Sequence, residues 1–146
     1  MMKRLLLSLL CSMFLILPTS FASDKITYSH TVHVSIDQLE ISGDNAEWDS
    51  EENLLVVNGQ STLKKGQVSC KAQQISVKEK SGIVKLKGKV DFKDHIVQIH
   101  ADECRFLHWM GKATFSGNVV YSGADGKKTC GKLEYDLLRH MVTMAE

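Results

Sequence analysis

The sequence predicts an all-β protein built from repeats: long antiparallel strands in a sheet bent across its middle, two halves facing each other over an apolar interior trough, and open strand edges at both ends. Three observations carry this. Between residues 39 and 144 a pattern returns every 29 residues, and a period of roughly 20 to 50 residues marks architectures whose units bury their apolar faces on their neighbours. Within each unit apolar and polar residues alternate, the period of a strand with one buried face, and no useful length keeps helical spacing. The alternation also slips by one residue at the same place in every unit, which is what a bulge or corner produces.

The N-terminal segment comes first. Residues 1–22 carry Lys3 and Arg4, an apolar run over 5–17, the helix breaker Pro18 and a Ser20-Phe21-Ala22 ending, the layout of a cleaved secretory signal peptide. The competing reading is a membrane anchor, but the 13-residue apolar run before Pro18 is shorter than the ~20 residues that cross a bilayer. Cys11 follows Leu10 rather than a small residue, which argues against a lipid anchor. Residues 23–146 then form one exported domain. Losing Lys3 and Arg4 leaves 16 of 18 basic residues against 17 acidic ones, a net charge of −1, and no nucleic acid is expected as a partner of so balanced a surface. The lysines at 64, 65, 71, 78, 80, 85, 87 and 89 read as a solvated face.

The repeats follow. Ile26, Tyr28, Val32, Val34 and Ile36 alternate, and His30 lies 29 residues before Gly59, so this is half a unit. Leu39, Ile41 and Gly43 open the first full unit, then Leu55, Val57, Gly59, Ser61 and Leu63; Ala113, Phe115, Gly117, Val119 and Tyr121 repeat the second series. Inward parity runs unbroken through Gly59, Gly88 and Gly117, so one long strand passes through each glycine and bends there. After Gly43, Ala72, Ala101 and Cys130 parity slips, placing Ala46, Ile75, Cys104 and Leu133 inward. Each unit is a hairpin of two bent strands. Both ends of the sheet are predicted to finish on strands without a partner in the chain, and open edges invite pairing.

The turns differ. Asp49-Ser50-Glu51-Glu52-Asn53 and Lys78-Glu79-Lys80-Ser81-Gly82 are solvated loops, whereas Leu107-His108-Trp109-Met110-Gly111 and Asp136-Leu137-Leu138-Arg139-His140 are rich in apolar residues. Those two either form an apolar patch or fold back over the core. Cys70, Cys104 and Cys130 occupy columns of small or apolar residues and read first as core; a Cys70–Cys104 bridge between adjacent units remains open in an exported chain.

Catalytic chemistry is not visible. His30, His33, His95, His100, His108 and His140 fall at edges, turns or outward positions, without the convergence a metal needs. Gly111-Lys112 and Gly126-Lys127 lack the rest of a phosphate loop, and no nucleophile motif is present. Asp44 and Asp102 follow the small corner residue, where Gln73 and Gly131 stand in other units, so a turn-stabilising role suits them better than catalysis. No enzyme, metal or cofactor is expected.

The segment Leu39-Glu40-Ile41-Ser42-Gly43-Asp44-Asn45-Ala46-Glu47-Trp48-Asp49, with Ile99-His100-Ala101-Asp102 and Phe115-Ser116-Gly117-Asn118-Val119, resembles the repeats of the OstA-like (LptA) family of periplasmic lipopolysaccharide transport proteins. The departures are Trp48 and Phe106 in place of the usual Tyr and Gln73 in place of Asp. The resemblance implies a β-jellyroll of open V-shaped section in the periplasm, carrying lipopolysaccharide from the inner to the outer membrane. It implies partners as well: LptC-like inner-membrane and LptD-like outer-membrane proteins joined through edge strands, and a head-to-tail homo-oligomer.

On this reading the inward columns contact acyl chains: Ile41, Trp48, Val57, Leu63, Ile75, Val77, Leu86, Phe92, Ile99, Phe106, Phe115, Tyr121, Tyr135 and Met144. The alternative is that they are core alone, in an envelope β-stacking assembly module that transfers no lipid.

Overall fold

The computed structural model describes residues 25–36, 38–107 and 111–145. The proposed signal peptide at 1–22 and the turn residues His108, Trp109 and Met110 lie outside the described residues. The described residues form nine strands: β1 (Lys25–Ile36), β2 (Leu39–Asp49), β3 (Leu54–Lys65), β4 (Val68–Lys78), β5 (Ile83–Lys93), β6 (Gln98–Leu107), β7 (Lys112–Gly123), β8 (Gly126–Asp136) and β9 (Met141–Ala145). They pair antiparallel in chain order as one open sheet.

Burial follows the sequence columns. In β3 Leu55, Val57, Ser61 and Leu63 are buried on either side of Gly59, so parity is kept; in β2 Ile41 and Gly43 are followed inward by Ala46, so it slips. Where a parity-keeping strand pairs with a slipping one the ladder is interrupted, at Ser42/Asn45, Asn58/Ser61, Lys71/Gln74, Lys87/Val90, His100/Glu103 and Ser116/Val119. The interruptions align across the sheet, and together they are the crease.

Its cause is local. Gly59, Gly88 and Gly117 adopt φ of 71°, 80° and 77°, and His30, in the same column, adopts 72°. This left-handed conformation costs an ordinary residue roughly 1–2 kcal/mol and glycine almost nothing. Space imposes a second requirement: a Cβ at Gly59 would collide with Asp44, one at Gly88 with Gln73 and one at Gly117 with Asp102. The acidic or amide residue after each small corner residue therefore lies across the bend of the neighbouring strand, the turn-stabilising place expected of it. The buried Ser61 hydroxyl donates to the Gly59 carbonyl at 2.8 Å, so the corner keeps its polar groups satisfied.

The crease divides the sheet into two arms. One carries residues 45–49, 54–58, 74–78, 83–87, 103–107, 112–116, 132–136 and all of β9; the other carries 39–42, 61–65, 68–71, 90–93, 98–100, 119–123 and 126–130. β1 borders both arms, with 25–29 in the first and 32–36 in the second. Phe92 of the second arm meets two rings of the first edge-on, Phe115 at 5.2 Å and Tyr135 at 5.7 Å. The arms thus face and pack, as the alternation predicts.

Replacing Gly88 by Ala should lower stability by roughly 1–2 kcal/mol or more, from the left-handed φ and the Gln73 collision. His30→Gly should leave stability unchanged or slightly raised. Urea midpoints at constant m would check both; an unaffected Gly88→Ala midpoint would mean that the bend does not require glycine.

Candidate functional site

The trough predicted from the columns is present, and its own side chains fill it. Twelve of the fourteen inward residues are buried: Ile41, Val57, Leu63, Ile75, Val77, Leu86, Phe92, Ile99, Phe106, Phe115, Tyr121 and Tyr135. Trp48 and Met144, toward the two ends of the sheet, are half-buried against the same core. Between the arms lies an apolar cavity of about 10 Å³ lined by Leu63, Val68, Cys70, Leu86, Phe92, Cys104, Phe106 and Ala113. That is the size of one water, in a lining with nothing to bond it.

Cys70 and Cys104 meet here from opposite arms as free thiols, and Cys130 is also free. Burial, with the nearby Asp91 charge, pushes the Cys70 thiol up to about 12, and burial raises Cys104 well above its ordinary value. Thiols held protonated are poor nucleophiles.

At the rim the apolar columns change character. The inward column of the second arm ends, one residue per unit, at Ile36, Lys65, Asp94 and Gly123, and the facing column of the first arm is Trp48, Val77, Phe106 and Tyr135. Folding brings Asp94 to Tyr135, whose hydroxyl donates to Oδ2 at 2.8 Å across 41 residues. It brings Lys65 over the Phe106 ring at 5.3 Å, the same offset of 41. These contacts join the free rims, so the V is shut along the middle of its mouth.

Two histidines complete the closure. The Asp94 carboxylate accepts the His95 backbone N–H and lies 2.5 Å from His95 Nδ1, while His140 Nδ1 is 3.0 Å from the Tyr135 hydroxyl and 3.5 Å from Asp94. The His95 and His140 rings meet edge-on at 5.2 Å. Asp94 is 4% exposed, against 51% and 41% for the two imidazoles, so the carboxylate is buried beneath them. His140 also has φ of 52° in the turn column where Gly82 and Gly111 have 66° and 64°, a conformation more typical of glycine.

Burial alone would raise the Asp94 carboxyl, but hydrogen bonds from Tyr135 and His95, together with attraction to His95, hold it below its ordinary value. Burial and the bond to Asp94 push the Tyr135 phenol up. Burial lowers the Lys65 ammonium.

Beside the seam lies a cleft of about 320 Å³ whose walls include Lys65, Asp94, His95, His140, Leu137 and Leu138 and whose floor is Val68 and Phe106. Val68 and Phe106 also line the interior cavity, so both residues border the cleft and the core. Of the two apolar turns, Leu137 packs on the core and its N–H bonds Gly111 at 2.7 Å, whereas Leu138 projects, 77% exposed. The other apolar turn, with His108, Trp109 and Met110, lies outside the described residues. The lysines of the predicted solvated face are exposed, except Lys65.

The rim constellation was not visible as a group in the sequence, because Asp94, His95 and His140 sit in turns of opposite rims and meet only when the sheet folds. The available signal was parity: Val90, Phe92 and Asp94 continue one inward column, as do Ser61, Leu63 and Lys65, and a charge in an apolar column requires a partner.

The sequence matches no protein-family profile and no curated protein. The fold does have a solved counterpart: the crystal structure of LptH, the LptA-homologous periplasmic component of the lipopolysaccharide transport device of Pseudomonas aeruginosa, superposes with a TM-score of 0.68 at 13% identity, covering 74% of this chain and 82% of that one. The chain therefore has the folded-sheet β-jellyroll of LptH.

The seam should titrate at both ends of the pH scale. Asp94, depressed in the folded state, stabilises it above the ordinary carboxyl range near ~4, and the contribution fades as pH falls through that range. Tyr135, raised in the folded state, contributes below the ordinary phenol range near ~10, and this fades as pH rises past it. Denaturation midpoints against pH should show a shallower acid limb in Asp94→Asn and a shallower alkaline limb in Tyr135→Phe. Limbs identical to wild type would mean that the seam adds no stability.

Proposed function

We propose that the chain is a periplasmic carrier of lipopolysaccharide, exported by cleavage of residues 1–22, that shields acyl chains between its arms and passes the lipid from the inner toward the outer membrane. The observation that carries this is the apolar interior between facing arms, in the fold LptH also has. Each CH₂ withdrawn from water contributes about 0.8 kcal/mol, so ten offset roughly 8 kcal/mol. Since the next protein in line would offer a similar interior, transfer between them is nearly level in free energy, and direction comes from an upstream motor. The fourteen inward residues are the proposed acyl contacts, and no step requires a catalytic group.

Passage along a chain of such proteins needs continuous sheets, and the edges support it. β9 pairs only with residues 132–136 of β8, so the 126–130 half of β8 has no strand beside it on that side among the described residues. Residues 32–36 of β1 have the phase of 61–65, 90–93 and 119–123. A second copy would place that half-strand in the vacant position, giving head-to-tail stacking, and LptC-like and LptD-like partners would use the same edges.

One observation favours a second reading, an envelope assembly module that binds protein alone: the interior is filled. A photocrosslinking residue at Phe106 or Phe115 distinguishes the two. In cells it should capture lipopolysaccharide; a folded protein that captures none would remove the lipid role and leave the module. Separately, a proline in the 32–36 half of β1 should abolish end-to-end association while the monomer stays folded, and association that survives the change would place the interface elsewhere.

A further inference from the structure

We infer that the cleft at the middle of the seam is a lateral portal, through which the acyl tail of an anionic lipid enters between Val68 and Phe106 while its acidic group stays among Lys65, His95 and His140. This rests on the lipid-carrying reading and adds a route and a gate to it.

Four observations converge on this place. Val68 and Phe106 line both the cleft and the interior cavity, so a chain passing between them would go from one to the other. The seam beside them is closed by polar contacts, the Asp94–Tyr135 hydrogen bond and the Lys65–Phe106 stack, which can exchange for water when the rims part. Apolar packing there could not part without exposing hydrocarbon. The lining matches the ligand in charge: Lys65 is half-buried at the rim, and the two exposed imidazoles are further donors. Asp94, the opposing charge, is covered and already bonded to Tyr135 and His95. Finally, His140 holds a left-handed backbone in a turn column shared with Gly82, Gly111 and the equally left-handed Asn53, and non-glycine residues in this conformation gather at functional positions.

Opening breaks the Asp94–Tyr135 bond, after which Phe106 can swing from beneath Lys65 and a single chain can pass. Two parts of the phosphate lipid are read separately, the tail by the apolar floor and the head by the three basic groups.

The test uses the exported domain with stopped-flow uptake of two fluorescent single-chain probes, a lysophosphatidic acid and a monoacylglycerol with the same chain. Tyr135→Phe, which removes the hydroxyl and keeps the ring, should speed uptake of both about tenfold, the scale of one hydrogen bond to a charged group. Lys65→Gln, which removes the charge together with the stack on Phe106, should slow the phosphate probe several-fold relative to the neutral one. A His95→Cys/His140→Cys protein in a Cys130→Ser background, joined by a short bis-methanethiosulfonate, should take up neither probe until reductant frees it. If the joined protein loads as fast as the free one, tails enter by the ends of the sheet and the portal is wrong while the lipid reading stands. If Lys65→Gln changes the uptake of both probes by the same factor, the head-group assignment is wrong. Absence of binding in every form would overturn the portal and the lipid reading together.

Discussion

The structure depends on a bend that recurs in the middle of strands rather than between them. A flat sheet of nine strands with one apolar face would leave that face in water, and wide open sheets curl or split for this reason. Here the left-handed residues at 30, 59, 88 and 117 turn every second strand, and the corner residues Gly43, Ala72 and Ala101 are buried at the slip of the strands between them. Hydrogen bonding continues on both sides of the crease, so the sheet folds without generating new edges. The energetic balance is one-sided. Burying one Phe92 or Phe115 contributes roughly 1.5–3 kcal/mol, more than the roughly 1 kcal/mol net that a residue such as His30 costs in a glycine conformation.

Once the crease sets the two arms face to face, the constant offset of 29 becomes a constant offset across the mouth. Lys65 meets Phe106 and Asp94 meets Tyr135 because each pair is the same pair one unit later. The rim therefore inherits the regularity of the repeat, but the chemistry differs from unit to unit. Charge occupies the inward rim column only at its two central positions, between Ile36 and Gly123, which is why closure is polar in the middle of the seam.

Strands, parity, crease and the buried columns were legible because each is a one-dimensional periodicity, of two residues or of 29, and the chain carries several copies of it. Pairings that depend on the angle between arms were not. His95 and His140 lie 45 positions apart in turns of opposite rims, and no spacing rule connects them. The extent of filling was equally hidden: that Phe92 reaches Phe115 and Tyr135 is a matter of how far the V closes, which alternation alone does not determine. The left-handed state of His30 was recoverable in principle, since it shares the column of three glycines.

Under the proposed lipid reading, the packed interior is the unloaded state of the carrier. An empty trough would expose its apolar walls at about 25 cal/mol for each Å², so an unloaded carrier lowers its free energy by closing on itself. What separates a carrier from a permanently packed sandwich is whether the closure can be undone. A hydrophobic residue of similar volume at position 94 would often match or exceed the stability of the buried carboxylate there, so a charge in this otherwise apolar column is not explained by packing. Under the proposed portal, that carboxylate and the Lys65 ammonium stand where the two arms part.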